Sequence, residues 1–194
     1  MSLKGKRIGI GLTGSHHTLS KVFSQIENLV NQGVEVIPIA SYTVQNTETK
    51  FGRGEEHLNK LEELTGQKVI TSIPDAEPLG PDNPLDCMVI APLTGNSMAK
   101  FSNGITDNPV LMAAKSTIRN QNPVVLSVTT NDALGLNGVN LMRLLNSKYI
   151  YFVPFGQDNP MKKPNSLVAN LDLLEDTIKS AIVHEQLQPI IIPF

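Results

Sequence analysis

The chain reads as an α/β protein of Rossmann-like, three-layer form, with a parallel sheet of about six strands. Three observations predict this. Short apolar runs alternate with segments whose apolar residues recur at helical spacing. The links between them are short, as parallel strand–helix–strand units allow. Small polar residues gather just after the strands. A length of 194 residues fits a single domain over residues 1–194.

The elements follow in order. Arg7–Leu12 is an apolar run ending in Thr13-Gly14-Ser15. Leu19, Val22, Phe23, Ile26, Leu29 and Val30 then repeat at helical spacing, and Gly33 stops the helix. Val34–Ala40 is a second buried strand. Ser41–Gly54 is polar and aperiodic. Glu55–Thr65 is a short helix with Leu58, Leu61 and Leu64 on one face, and Lys68–Ser72 a short strand. Ile73–Leu85 holds four prolines and reads as a surface connection. Asp86–Ala91 is a buried strand that leads, through Pro92, Gly95 and Asn96, into a helical segment. Pro109–Gln121 is a helix, Pro123–Val128 a strand, Val139–Leu145 a helix and Tyr149–Val153 a strand. Pro154–Pro164 is a loop. Ser166–Leu187 is the last helix, with Leu167, Leu171, Leu174, Ile178 and Ile182 on one face. The tail from Gln188 to Phe194 is too apolar to stay in water and should dock on its own domain or on a neighbour.

The totals exclude some classes. Sixteen basic and eighteen acidic residues leave a net charge of −2, where a nucleic-acid binder should be basic. One cysteine, Cys87, allows no internal disulfide and fits a reducing cytoplasm. No apolar run is long enough for a membrane span, and the N-terminus is too Gly-rich for a signal peptide. The four histidines lack metal-ligand spacing, so no metal site is expected. His57 and His184 read as surface residues, and Cys87 as a core residue.

In a doubly wound sheet, ligands sit beyond the carboxyl ends of the strands. Thr13–Ser15, Ser41–Thr43, Thr94–Ser97 and Thr129–Asn131 all follow strands, so they should converge on one edge. Gly9 to Gly14 spells G-x-G-x-x-G, the form of a dinucleotide loop. The second strand ends in Ala40-Ser41, without the acidic residue that would hold a ribose. The loop reads better as a mononucleotide phosphate site, with Gly14 admitting the ligand and Ser15 offering a hydroxyl. A plain strand–helix turn is the alternative. His16 or His17 could meet an anion there. Asn96 can both donate and accept, as reading a flavin edge or a carboxylate requires, though Asn is also a favoured helix cap. Lys100, Arg53, Lys162 and Lys163 are the candidate cations for an anionic substrate.

Ala91–Ala114 also resembles the Pro-Ala-Ser-Ala-Asn-Thr loop of the homo-oligomeric, FMN-containing cysteine decarboxylase family. Ala99-Lys100, Asn103-Gly104 and Asp107-Asn108 continue the match. Leu93, Thr94, Gly95 and Ser97 depart from the family's Ala, Ser, Ala and Thr. The resemblance implies trimers or dodecamers, and an FMN site near Thr13, Gly14, Ser15, Ser41, Thr94, Asn96 and Ser97; the converging strand-end loops add Thr43, Gly95, Thr129 and Asn131 to the candidate cofactor residues. Part of its wall could come from a neighbouring copy. Asn96 and His17 are the candidate catalytic residues. The decarboxylase branch carries a histidine after the second strand, and the context of His57 does not match it. The branch most similar over the whole chain implies one component of an oxidoreductase that acts on a small cyclic dicarboxylate. It further implies a nicotinamide-binding partner subunit, with the hydride acceptor either FMN here or NADP there, and a place in the mother-cell cytoplasm of a sporulating bacterium. The other readings are an FMN-dependent decarboxylase and a non-catalytic scaffold.

Overall fold

The computed structural model describes residues 1–193. Five parallel strands form the body of the sheet: β1 (Arg7–Leu12), β2 (Glu35–Ala40), β3 (Cys87–Leu93), β4 (Val124–Thr130) and β5 (Ile150–Phe152), in the order β2-β1-β3-β4-β5. Gly9 faces Ile37 on one side and Met88 on the other, which places β1 in the middle of the sheet. Two short strands, β6 (Phe155–Gly156) and β7 (Leu167–Ala169), extend it antiparallel. β4 pairs with β5 through Val124–Leu126 and with β7 through Thr129 and Thr130. Both faces are covered, so the strands are continuous apolar runs: every residue of β3 is buried.

The helices are α1 (Leu19–Asn31), α2 (Tyr42–Asn46), α3 (Gly54–Thr65), α4 (Ile73–Ala76), α5 (Gly95–Ser102), α6 (Pro109–Arg119), α7 (Gly138–Leu145) and α8 (Leu174–Ile182). α1 buries Leu19, Val22, Ile26 and Leu29, a single face at helical spacing. It packs against α3 and α8, while α6 lies on β1, β3 and α4. Asn108 caps α6, its side chain accepting from Leu111 N at 3.2 Å, and Pro109 follows at the first helical position. α2 occupies part of the segment expected to be aperiodic.

Several expectations need correction. Lys68–Ser72 contributes a single bridge, Ile39 to Ile70, rather than a strand. Its last residue, Ser72, already caps α4, accepting from Asp75 N at 3.3 Å. Ile70 N bonds Pro38 O at 2.9 Å, so Pro38 points outward from β2, where its missing N–H costs the ladder nothing. The proline-rich connection is not all surface: it carries α4 and a 3-10 turn, and buries Ala76, Leu79 and Leu85. The proposed last helix splits. Leu167 belongs to β7, Leu171 to a 3-10 turn and only Leu174–Ile182 to α8. The tail docks on its own domain, Phe155 N bonding Ile190 O at 3.0 Å and Ile192 N bonding Phe155 O at 3.1 Å. Phe194, its last residue, lies outside the described residues. Among the described residues no helix is long and apolar enough to cross a membrane.

Two glycines of the apparent nucleotide motif serve packing. A Cβ on Gly9 would stand 2.5 Å from Leu85 Cδ1, and one on Gly11 would stand 2.6 Å from Val110 Cγ1 and 2.7 Å from Met88 Cε. Gly11 therefore lets α6 lie close on the sheet. Gly11→Ala should destabilise the protein by about 1–3 kcal/mol through overpacking. A urea melt checks this, and an unchanged midpoint would refute the packing role.

Candidate functional site

The site begins where β1 and β3 part. Thr13 follows β1 and is buried, and its hydroxyl donates to Pro92 O at 2.7 Å. The same oxygen accepts from Thr94 N at 3.1 Å. Here, between Ile90 and Leu93, β3 shifts register, and the Ala91–Pro92 peptide is cis. The hydroxyl thus ties the two strand ends across the point where connections run to opposite sides of the sheet, the place where such sheets hold ligands. Thr94, not Asn96, is the cap of α5. Its hydroxyl oxygen accepts from Ser97 N at 3.3 Å and donates to Ser97 Oγ at 3.0 Å.

Gly95 is demanded by its surroundings. A Cβ there would be 2.7 Å from both Asp132 Oδ1 and Thr130 Oγ1, and 2.9 Å from Asn137 Nδ2. These groups belong to a polar chain beneath the floor. Asn137 donates to Asp132 at 2.7 Å, Asn140 to Asn137 at 2.9 Å, and Ser102 to Asn140 at 2.7 Å. The chain fixes α5 to α7 and to the loop after β4.

Two adjoining hollows result. The larger, about 610 Å³, is lined by Gly14, Ser15, His16 and His17 on one side. Thr94, Gly95, Thr129, Thr130 and Asn131 form its floor and far side, and Thr49, Lys50 and Phe51 with Asp158, Lys163 and Val168 its rim. The smaller, about 350 Å³, is lined by Ser41, Tyr42, Thr43, Asn96, Ser97 and Lys100, and both hollows share Gly14 and Thr94. The four strand-end loops therefore meet at one edge. The two candidate catalytic residues face different hollows: His17 the larger, Asn96 the smaller. A third hollow of about 700 Å³, between Met142, Phe155 and the tail, is lined mainly by apolar side chains.

The charges are sparse and mostly paired. Lys100 lies 2.5 Å from Asp107, and that hydrogen bond holds the Asp107 carboxyl below its usual range. Lys163 pairs with Asp158 at 3.0 Å. Burial would raise the Asp158 carboxyl, but the Lys163 bond prevails and holds it low. Arg53 turns to Glu48 instead of the cleft, and Lys162 is exposed. Ser41 is 5% exposed and its hydroxyl has no partner. Cys87 is wholly buried, which pushes its thiol far above the ordinary range. Among the described residues no three His, Cys, Asp or Glu side chains cluster as metal ligands.

His57, expected at the surface, is buried instead, because α3 packs on α1 and sets the imidazole against Phe23 at 6.2 Å. His16 is buried beside it, while His17 is exposed with Nδ1 3.3 Å from Ser15 Oγ. Sequence reasoning also misses the rim residues Thr49, Lys50, Phe51 and Asp158. They come from irregular segments that carry no periodicity.

Strand order, switch point and strand-end loops define a doubly wound α/β protein with a polar cleft at the strand ends, and the chain belongs to the flavoprotein family, whose model matches residues 1–181. Within that family its similarity is to the B-type subunit of dipicolinate synthase. It is 65% identical to that protein of Bacillus subtilis (strain 168) over 191 residues, 98% of this chain and 96% of the other. The crystal structure of the same B-type subunit from Bacillus halodurans superposes with a TM-score of 0.92 at 55% identity, covering 100% of this chain and 99% of that one. Burkholderia xenovorans DmrB, a cubic protein cage for redox transfer in complex with FMN, shares the fold at 17% identity and a TM-score of 0.67, over 92% and 96% of the two chains.

Burial lowers the affinity of His16 for a proton, and the neighbouring His57 lowers it further. Burial lowers His57 as well, with Glu56 opposing. The unfolded chain then binds more protons than the folded one below the ordinary histidine value of about 6.5. This contribution to stability is complete above that value and is lost as pH falls through the folded-state values. The melting temperature should drop between about pH 7.5 and 5.5, and His16→Asn should flatten the drop. An identical slope in the variant would exclude the pair as its source.

Proposed function

We propose that this chain is the B-type subunit of a dipicolinate synthase. It takes part in oxidising dihydrodipicolinate to dipicolinate during sporulation, with a pocket for an FMN-type mononucleotide. One observation carries the pocket: four strand-end loops meet at one edge, beside the switch point where Thr13 joins the ends of β1 and β3. Identity of 65% with the Bacillus subtilis protein, over nearly the whole of both chains, supports the assignment.

The residues present fit a phosphorylated, planar guest. The orphaned Ser41 hydroxyl is a buried group that a ligand oxygen would satisfy. Ser15, Ser41 and Thr43 are small hydroxyl residues around Gly14. Thr94, Gly95, Asn96 and Ser97 open α5, whose N-terminus favours negative charge. Thr129 and Asn131 close the far side. Bound there, a flavin supplies an acceptor for two electrons; NADP on the A-type partner of the synthase is the other candidate acceptor.

This chain's own part is to hold the ring and its two carboxylates. Lys50 and Lys163 stand at the rim, and Lys163 would exchange Asp158 for a substrate carboxylate. His17 and Asn96 are placed to orient the ring or to take the proton it loses. Aromatisation makes the loss of two hydrogens favourable, so positioning is the larger contribution. The protein works as a homo-oligomer, a trimer or dodecamer, together with the A-type partner in the mother-cell cytoplasm. The decarboxylase reading is weaker, because His57 is turned into the wall and does not line either hollow.

Titration with FMN, followed in the visible, tests the pocket. The protein should bind it, and Ser41→Ala should weaken binding about 10–100-fold, the loss of one charge-assisted hydrogen bond. A colourless protein that takes up no FMN, alone or with its A-type partner, would support a scaffold role instead.

A further inference from the structure

The wall behind Ser15 holds a pair of groups that the flavoprotein reading does not use. His16 and His57 are 9% and 5% exposed. Their ring centroids stand 5.7 Å apart, with planes inclined at 39°. Both ring nitrogens of His16 and Nε2 of His57 are buried without a hydrogen-bond partner. Buried polar atoms are nearly always paired, so three orphans in one place point to a second state in which they are used.

The neighbours of the pair say what that state needs. Phe23 of α1 packs on His57, and Gly52 lies against the edge of the same ring. Glu56, next to His57 on α3, favours a proton there but is already engaged, accepting from Arg53 N at 2.9 Å. Lys163 and Asp158, on the rim of the same cleft, pair with each other, and two further charges are engaged elsewhere. Arg53 holds Glu48, and Lys50 lies 5.1 Å over the Phe51 ring. Lys21 of α1 lines a neighbouring hollow with the exposed His17. Glu56 alone does not overcome burial. A second negative charge would act in the same direction, and His16 lines the larger cleft together with Ser15 and His17.

We propose that the His16–His57 pair is a proton-uptake site coupled to the cleft: when an anionic ligand occupies the Ser15–His17 corner, the pair takes one proton from solvent and shares it between the facing rings. After a small ring rotation that proton turns one nitrogen into a donor and the opposite nitrogen into its acceptor. A second proton is excluded, because two like charges at this separation in a buried wall repel strongly. Sulfate, phosphate esters and carboxylates all qualify as the ligand, and neutral ligands do not. The site goes beyond the flavin reading and does not require a flavin.

The four histidines give two ring-nitrogen signals each in a nitrogen-detected NMR titration, assigned with His16→Asn and His57→Asn, or with His57→Gln should the second not fold. Sodium sulfate is the first probe, since it does not titrate in this range, and pyridine-2,6-dicarboxylate the second. Without either, the pair should stay neutral well below the ordinary value of about 6.5. With either at saturation, one titration of the pair should rise by about one unit or more, and a single proton should enter. Each variant should lose this anion-linked shift while His17 still responds. Pair signals indifferent to both anions would overturn the proposal, as would uptake of two protons, or a single variant that keeps the full shift. A protein that shows the sulfate-linked titration but never binds FMN overturns the proposed function and leaves this site standing; FMN binding with an inert pair does the reverse.

Discussion

The hydroxyl of Thr13 is the joint on which the cleft depends. It is one oxygen with two backbone partners, Pro92 O and Thr94 N, at the irregular end of β3. A hydrogen bond of this kind contributes only about 1 kcal/mol net, but leaving buried backbone groups unpaired costs more. The joint therefore sets direction more than stability. It holds the first turn of α5 beside the loop after β1, so that two strand ends distant in sequence present one surface. From below, the polar chain through Asp132, Asn137 and Asn140 holds the same turn. Gly95 sits between the two restraints with no room for a methyl group.

The parallel core is legible in the sequence because each of its strands is buried on both faces and so is written as an unbroken apolar run. Leu12, Ala40 and Leu93 end such runs, and the residues after them mark the site's edge. The two short antiparallel strands are not legible. β6 and β7 are two and three residues long, below the length at which alternation shows. Leu167, Leu171 and Leu174 keep helical spacing although they belong to three different elements, so periodicity merges them. Burial of His57 is also invisible. It follows Glu55 and Glu56, and what covers it comes from α1 and from Gly52.

The G-x-G-x-x-G spelling shows how one string can serve two ends. In a dinucleotide loop the glycines let a pyrophosphate approach the backbone. Here Gly9 and Gly11 lie inside β1, paired on both sides, and the atoms that approach them are protein: Leu85, Met88 and Val110. Only Gly14 lies past the strand end, and there Thr43 Cγ2 would stand 2.7 Å from an added Cβ. The missing carboxylate after β2 is thus the better guide, since it reports on ligand chemistry while glycine reports only on closeness.

Cys87 lies at the start of β3, wholly buried, with its thiol held in the unreactive form. The chain contains no tryptophan. Together these leave the molecule chemically and optically quiet. A thiol introduced on the exposed turn at Lys50 would react alone with a fluorescent dye, and the emission would report occupancy of the neighbouring space with almost no background from the protein itself.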